Sequence, residues 1–346
     1  MKNKTTTKRL LLLGSLTNKK DPTKTGGVTV LFELLLSELR EKDIEFDVID
    51  TLKDNYPNSI TAYFLIIFQL LKNMYKYDHI SLQASTNSFM LVGPILVPLA
   101  KLLNKKISMR KFAGDFKEVH LKSRGVKRYI LEYLLKNFDI NFFETKYLVE
   151  YFKPFNENTY WFPNVRRKVL TPELPRKYEK RFVYIGTINP EKGIDEICDA
   201  IESLDSSYTI DIYGPLYDDR YSKEYFDQQN VSYKGALKHQ EVLPTLNKYD
   251  VLILPSYREG YPGIMIEAFS LGIPVVVTKL DGIMEMVIDK KNGLLVDVGN
   301  SIQLVNAIQS IDEYNYAKYS SEAFISFENF DSRVQTDKFL HHINCL

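Results

Sequence analysis

Residues 251–268 read Val-Leu-Ile-Leu-Pro-Ser-Tyr-Arg-Glu-Gly-Tyr-Pro-Gly-Ile-Met-Ile-Glu-Ala. The four apolar residues at the start predict a short buried strand, closed by Pro255-Ser256. A polar loop carrying Glu259 follows. Pro262 then suits the first position of a helix, where a missing N–H costs nothing, and the helical pattern runs on to Leu271. A buried strand, a polar loop and a helix in succession form one unit of a parallel α/β sheet.

The same rhythm extends in both directions. On the C-terminal side, strands are predicted at 274–277 and 293–296. On the N-terminal side of that half, they are predicted at 181–185, 209–213 and 231–233, with helices at 193–204 and 242–247. A similar alternation fills the first half. Strands are predicted at 9–16, 45–50, 79–83, 106–109 and 140–143. Helices are predicted after Gly26-Gly27, at 60–74 (read as a buried helix), at 89–103 and at 130–135. Between the halves, residues 163–181 hold three prolines and seven basic residues, which breaks the rhythm. The division expected is residues 1–165, a linker at 166–180, a second domain at 181–325, and a terminal helix at 326–346, its helical pattern clearest at 331–343, packing back on the first domain. Both domains are predicted to be doubly wound Rossmann-like α/β sheets.

Composition narrows the function classes. With 346 residues, 45% hydrophobic and 26% charged, the chain is globular and of two-domain length. Its two cysteines, Cys198 and Cys345, form neither a disulfide framework nor a zinc cage by themselves, which makes a cytoplasmic setting the expectation. The apolar runs 60–71 and 89–103 are too short, or too interrupted by Pro94, Pro98 and Lys101, for a spanning helix of about 20 residues. Net charge is +1, yet residues 1–165 carry a surplus of eight positive charges. Residues 101–128 alone hold ten Lys and Arg against Asp115 and Glu118. An anionic membrane surface fits this window, and solvated helix faces are the alternative. No recognition motif points to nucleic acid.

Ligands of open α/β sheets bind beyond the carboxyl ends of the strands. The helix start at Gly263, Ile264 and Met265 offers free amides for a phosphate. Glu267, further along that helix, is unsuited to phosphate and suits sugar or ribose hydroxyls. After the strand at 181–185 comes Gly186-Thr187-Ile-Asn-Pro-Glu-Lys192-Gly193, which presents a lysine at a helix start. Together the two loops describe a pocket for a diphosphate bearing hydroxyl-rich groups. The five histidines show no metal spacing and no Asp-x-Asp triplet occurs, so no metal site is expected.

These motifs resemble the retaining glycosyltransferases of family 4, which have the GT-B fold of two Rossmann-like domains facing across a cleft. The frame is carried by Pro255, Ser256, Glu259, Gly260, Glu267 and Ala268. It continues through Gly272, Pro274, Val275 and Val276, then Gly282, Glu285 and Val287, then Asn292, Gly293, Leu295 and Val296. Glu191-Lys192-Gly193 matches upstream. The resemblance implies transfer of a sugar from a nucleotide-diphosphate donor to an acceptor hydroxyl with retention, with no cofactor and no metal. The acceptor implied is a carbohydrate or lipid-linked hydroxyl, in cell-surface polysaccharide or glycolipid assembly at the inner face of the membrane. Lys192 would hold the diphosphate, Glu259 the transferred sugar and Glu267 the ribose. The amides of Gly263 to Met265 would stabilise the leaving phosphate. Gly26 and Gly27 would let their loop approach closely, and Leu237 would lie against the base.

Two positions depart from the pattern. The usual Arg after Gly186 is Thr187, with Arg258 a candidate substitute or a plain surface charge. The usual histidine after the strand at 106–109 is absent, leaving Arg110 or Asp115 for any polar role. A degenerate subunit that binds a nucleotide sugar without turnover is the alternative.

Overall fold

The computed structural model describes residues 9–21, 26–112, 116–174, 176–229 and 231–346. The chain divides into two units, one of residues up to Arg167 together with Ser332–Leu346, the other Lys168–Asp331.

The first unit is built on six parallel strands: β1 (Leu10–Gly14), β2 (Phe46–Asp50), β3 (His79–Ala84), β4 (Lys106–Lys111), β5 (Ile140–Phe143) and β6 (Thr159–Trp161). Their order is β2-β1-β3-β4-β5-β6. The chain steps from β1 to one side, then returns to place β3 on the other side of β1. Helices connect them: α1 (Gly27–Glu41), α2 (Ser59–Asn73), α3 (Thr86–Leu102), α4 (Phe116–Lys122), α5 (Gly125–Asn137) and α6 (Lys146–Phe152). Strand alternation sends Leu11 and Leu13 into a core with α2, α3 and α5, and Leu10 and Leu12 into a second core with α1. Three of these helices begin where a short polar side chain satisfies one of their first amides. Asn58 caps α2, Ser85 caps α3 and Thr145 caps α6.

The second unit repeats the plan with β7 (Arg181–Ile185), β8 (Thr209–Tyr213), β9 (Ser232–Tyr233), β10 (Val251–Leu254), β11 (Val275–Thr278) and β12 (Gly293–Val296). The order is β12-β11-β10-β7-β8-β9, again parallel. Its helices are α7 (Ile194–Glu202), α8 (Lys223–Gln228), α9 (His239–Leu246), α10 (Gly263–Ser270), α11 (Asp281–Met284), α12 (Ser301–Gln309) and α13 (Glu313–Phe327). The strand order reverses between β7 and β10. Among the described residues no helix is long and apolar enough to cross a membrane.

Three expectations change. The segment expected as a linker at 166–180 packs within the second unit from Lys168 onward. Arg176 donates to Asn247 Oδ1 (2.7 Å) and to the Tyr249 carbonyl (3.0 Å), and the Tyr178 ring stacks on Tyr316 at 4.8 Å. The terminal stretch 326–346 is not one helix. α13 ends at Phe327 inside the second unit, and α14 (Ser332–Asn344) belongs to the first. There Phe339 and Ile343 are buried in the α1 core, and Ser332 Oγ bonds Glu38 at 2.5 Å. Finally, α2 is buried along one side only, so the expectation of a buried helix at 60–74 fails.

Candidate active site

The site of the second unit grows from the reversal point between β7 and β10. Each strand feeds a loop into the same space, because neighbouring parallel strands end side by side. The β7 loop is pinned first. Ile188 N–H donates to the Pro215 carbonyl (2.9 Å) and the Tyr184 hydroxyl to the Thr187 carbonyl (2.7 Å). A short 3-10 turn at Pro190–Lys192 then ends on Gly193 at φ +71°. A Cβ on Gly193 would stand 2.2 Å from the Pro255 carbonyl oxygen. Glycine is needed there twice, for its left-handed backbone and for contact with the β10 loop.

That contact brings the two loops into register. Tyr257 N–H donates to the Glu191 carbonyl (2.8 Å). Lys192 Nζ bonds Glu259 Oε1 at 2.6 Å, and Ser256 Oγ donates to the same oxygen at 2.9 Å. Ser256 is itself fully buried, its carbonyl accepting from Thr278 Oγ1 at 2.6 Å. Lys192 and Glu259, 67 positions apart in sequence, thus form one ion pair, with their side chains 24% and 13% exposed. Burial raises the pKa of Tyr184 strongly and the Glu259 charge raises it further, so its hydroxyl stays neutral beneath the pair.

The other predicted residues are placed unevenly. Pro262 precedes α10 as its N-cap, and Gly263 is the first helical residue. The Met265 amide donates to the Pro262 carbonyl (3.2 Å), so Met265 is not one of the free donors expected. Gly263 and Ile264 remain without an intrahelical acceptor, as helix geometry requires. Glu267 lies in the second turn of α10 and is 7% exposed. Arg258 is exposed and lines a depression of about 440 Å³ with Pro190, Glu191, Asp195, Glu196 and Tyr257. Leu237 is half-buried in the loop after β9.

In the first unit, Gly26 and Gly27 stand at the start of α1, beyond β1, where that sheet's order also reverses. Neither has a positive φ, and a Cβ on either would meet nothing within 4 Å. Among the described residues, no contact accounts for the glycine pair. Arg110 is fully buried, which excludes the expected contact with an acceptor in this structure. Its guanidinium lies 3.6 Å from the centre of the Phe162 ring and donates to the Pro163 carbonyl (2.7 Å). Burial pushes its pKa down to about 9, against the opposing pull of Glu144. Asp115 lies outside the described residues. Among the described residues, no group of three or more His, Cys, Asp or Glu side chains is arranged to hold a metal ion.

Sequence reasoning missed the roles of Ser256, Tyr184 and Gly282. A Cβ on Gly282 would stand 1.9 Å from the Gly260 carbonyl oxygen, so this glycine lets the Glu259 loop settle. Asn292 is structural as well. Its side chain accepts from Ile288 N–H (2.8 Å) and donates to the Met286 carbonyl (2.9 Å). The sequence frame therefore mixes site residues with residues that hold the site's loops.

Comparison with known proteins places this geometry. Residues 166–323 match the family model described as glycosyl transferases group 1. An uncharacterised glycosyltransferase of Methanocaldococcus jannaschii is 27% identical over 305 residues, covering 82% of this chain and 84% of that protein. The capsular polysaccharide biosynthesis glycosyltransferase CapM of Staphylococcus aureus is 28% identical over 152 residues, 40% of each chain. The crystal structure of Anabaena HepE in complex with UDP superposes with a TM-score of 0.73 at 16% identity, covering 98% of this chain and 100% of that one. At that identity the likeness speaks for the fold. Residues 166–323 thus match the group 1 glycosyl transferases, and the two six-stranded parallel sheets have the GT-B fold of the similar solved structures.

Proposed function

We propose that this chain moves a sugar from a nucleotide-diphosphate sugar to an acceptor hydroxyl, with retention at the anomeric carbon. The observation that carries the reading is the Lys192–Glu259 pair at the strand-order reversal, beside the start of α10. A lysine held by one carboxylate is poised to share its protons with an arriving diphosphate. The amides of Gly263 and Ile264 add positive potential at the same place. These groups neutralise the leaving diphosphate as its charge develops, without calling on a metal. The leaving phosphate takes the proton of the attacking hydroxyl on the same face of the sugar. Glu259 holds the transferred sugar, and Glu267 accepts from ribose hydroxyls. Thr187 in place of the usual Arg is the feature that favours a subunit without turnover, and the presence of Lys192, Glu259 and Glu267 argues against it.

Relatives support a setting. CapM is named for capsular polysaccharide biosynthesis, and HepE was crystallised with UDP and with UDP-glucose. We infer a cell-surface polysaccharide or glycolipid pathway, a carbohydrate or lipid-linked acceptor, and uridine as the first base to try. The enzyme then works from the cytoplasm against an anionic membrane surface, with residues 101–128 contributing charge.

The test is thermal unfolding with UDP, GDP, ADP and their sugar conjugates, with and without EDTA. A nucleotide at about 100 times its Kd adds about 2.7 kcal/mol. One nucleotide should stabilise the protein equally with EDTA present. If none does, the donor pocket is misassigned; if EDTA abolishes the shift, metal independence is wrong.

A further inference from the structure

The helices covering one face of the N-terminal sheet carry more apolar surface than that sheet uses. α2 turns Ala62, Ile66 and Leu70 inward. On its opposite side stand Ile60, Phe64, Phe68 and Leu71, which are 83%, 69%, 51% and 49% exposed. The Phe64 and Phe68 rings stack with centroids 6.4 Å apart. α3 repeats the pattern, with Val92, Leu96 and Ala100 inward and Leu91, Ile95 and Leu102 outward. The two helices lie on the same face of the sheet, since their inner residues share one core. Their C-terminal ends are joined where Lys105 Nζ donates to the Tyr75 carbonyl (2.9 Å).

A helix of a soluble domain turns polar residues to water, and one apolar on every side is built to be covered. Charge decides by what. Neither α2 nor α3 contains a single acidic residue. Residues 59–137 hold thirteen Lys and Arg against four Asp and Glu. Arg110 and Lys111 are buried and drop out, whereas Lys72, Lys76, Lys101, Lys122, Arg124 and Lys127 are exposed. A second copy of this chain would bring the same cations against these. An anionic bilayer complements both features, its acyl region taking the apolar stripe and its headgroups the cations.

We propose that the outer face of α2 and α3 docks the N-terminal unit on an anionic lipid bilayer, with Phe64 and Phe68 seated below the headgroups. This rests on the reading of the chain as a transferase working at a membrane. It places the inserting element mostly outside the basic window at 101–128.

The full chain is sedimented with vesicles of phosphatidylcholine alone, or with about 30% phosphatidylglycerol added. Binding is expected only to the anionic vesicles. The double variant Phe64→Ser, Phe68→Ser should partition about tenfold more weakly, with its melting temperature and nucleotide-induced shift unchanged. Lys122→Gln with Lys127→Gln should weaken binding about thirty-fold. Phe64→Trp should bind as wild type, and vesicles should shift its added emission to the blue. The proposal is overturned if wild type stays in the supernatant with anionic vesicles, or if the Phe64/Phe68 variant sediments like wild type. It is equally overturned if that variant turns a dimer into a monomer without changing sedimentation, since the stripe then joins copies of the chain. Failure of the transferase reading would appear separately, as no nucleotide shift whatever the vesicles do.

Discussion

Lys192 and Glu259 are the most informative side chains of this protein because their charges are matched before any ligand arrives. The pair at 2.6 Å is fixed from both sides, Lys192 by the turn closed at Gly193 and Glu259 by Ser256. Glu259→Gln keeps the shape and removes the charge. Transfer should fall about a hundredfold or more, in line with the loss of one fixed polar partner in a transition state. Its melting temperature should stay near wild type, which separates catalysis from folding. A Glu259→Gln enzyme with undiminished transfer would end the role given to this carboxylate. Both residues stood out in the sequence through the motif frame shared with family 4 glycosyltransferases, Glu259 within 255–268 and Lys192 within Glu191-Lys192-Gly193. Arg110 was not. β4 is buried on both faces, as parallel strands are, so polarity along it says nothing about exposure. Its cation rests on the Phe162 ring and near Glu144, itself 6% exposed. Arg110→Met keeps the stem but removes the charge that offsets the Glu144 carboxylate and takes this donor from the Pro163 carbonyl. Denaturant unfolding should show a loss of about 1–3 kcal/mol, partly recovered by adding Glu144→Gln. An unchanged midpoint in Arg110→Met would remove the structural role.

At the level of single elements, buried strands were the clearest in sequence. Those at 140–143, 181–185, 209–213, 251–254 and 293–296 have the same bounds in the structure. Short apolar runs between turn residues leave little freedom in where a strand stops. Helices on the surface were harder. α4, α6, α8, α11, α12 and α13 were not anticipated, because tertiary contact rather than strong periodicity holds them. α4 shows how. Its His120 is buried, with Nδ1 2.9 Å from the Tyr151 hydroxyl and Nε2 3.2 Å from Glu132 Oε1. Burial holds its pKa below the ordinary 6.5, with Arg128 acting in the same direction and Glu132 against. The unfolded chain therefore takes up a proton at His120 before the folded chain does. Stability is complete above about pH 6.5 and declines as pH falls through that value, until the folded pKa is reached. Melting temperature measured from about pH 7.5 to 5.5 should fall, and His120→Gln should flatten the slope. The Glu132 carboxylate, lowered first by its bond to Arg128, loses its contribution only below its ordinary 4.5, so the two windows are separable. A profile equally steep in His120→Gln would place the titrating group elsewhere.

For the molecule as a whole, the telling feature is that the chain completes its first unit last. α14 returns after the whole of the second unit and fills the core under α1 with Phe339 and Ile343, 1% and 0% exposed. It also binds Glu38, which is 1% exposed, through Ser332, and Glu38 pairs with Arg167 at 2.8 Å. The sequence suggested this return through a helical stretch at the terminus. The helical pattern at 331–343 nearly coincides with α14, but the domain boundary expected at 326 lies ahead of the observed one at Ser332, because the end of α13 and the short turn after it stay with the second unit. Truncation after Asp331 tests the arrangement. Uncovering Phe339's and Ile343's sites costs about 1.5–3 kcal/mol for each side chain, and Glu38 loses one of its donors. The first unit should then melt well below its normal temperature, while residues 168–331 keep every side chain of the Lys192–Glu259 site. Calorimetry of the truncated chain should show one weakened transition and one that a stabilising nucleotide still raises. Should the nucleotide-dependent transition be the one that disappears, donor binding would depend on α14, and the assignment of the donor site to the second unit alone would have to be abandoned.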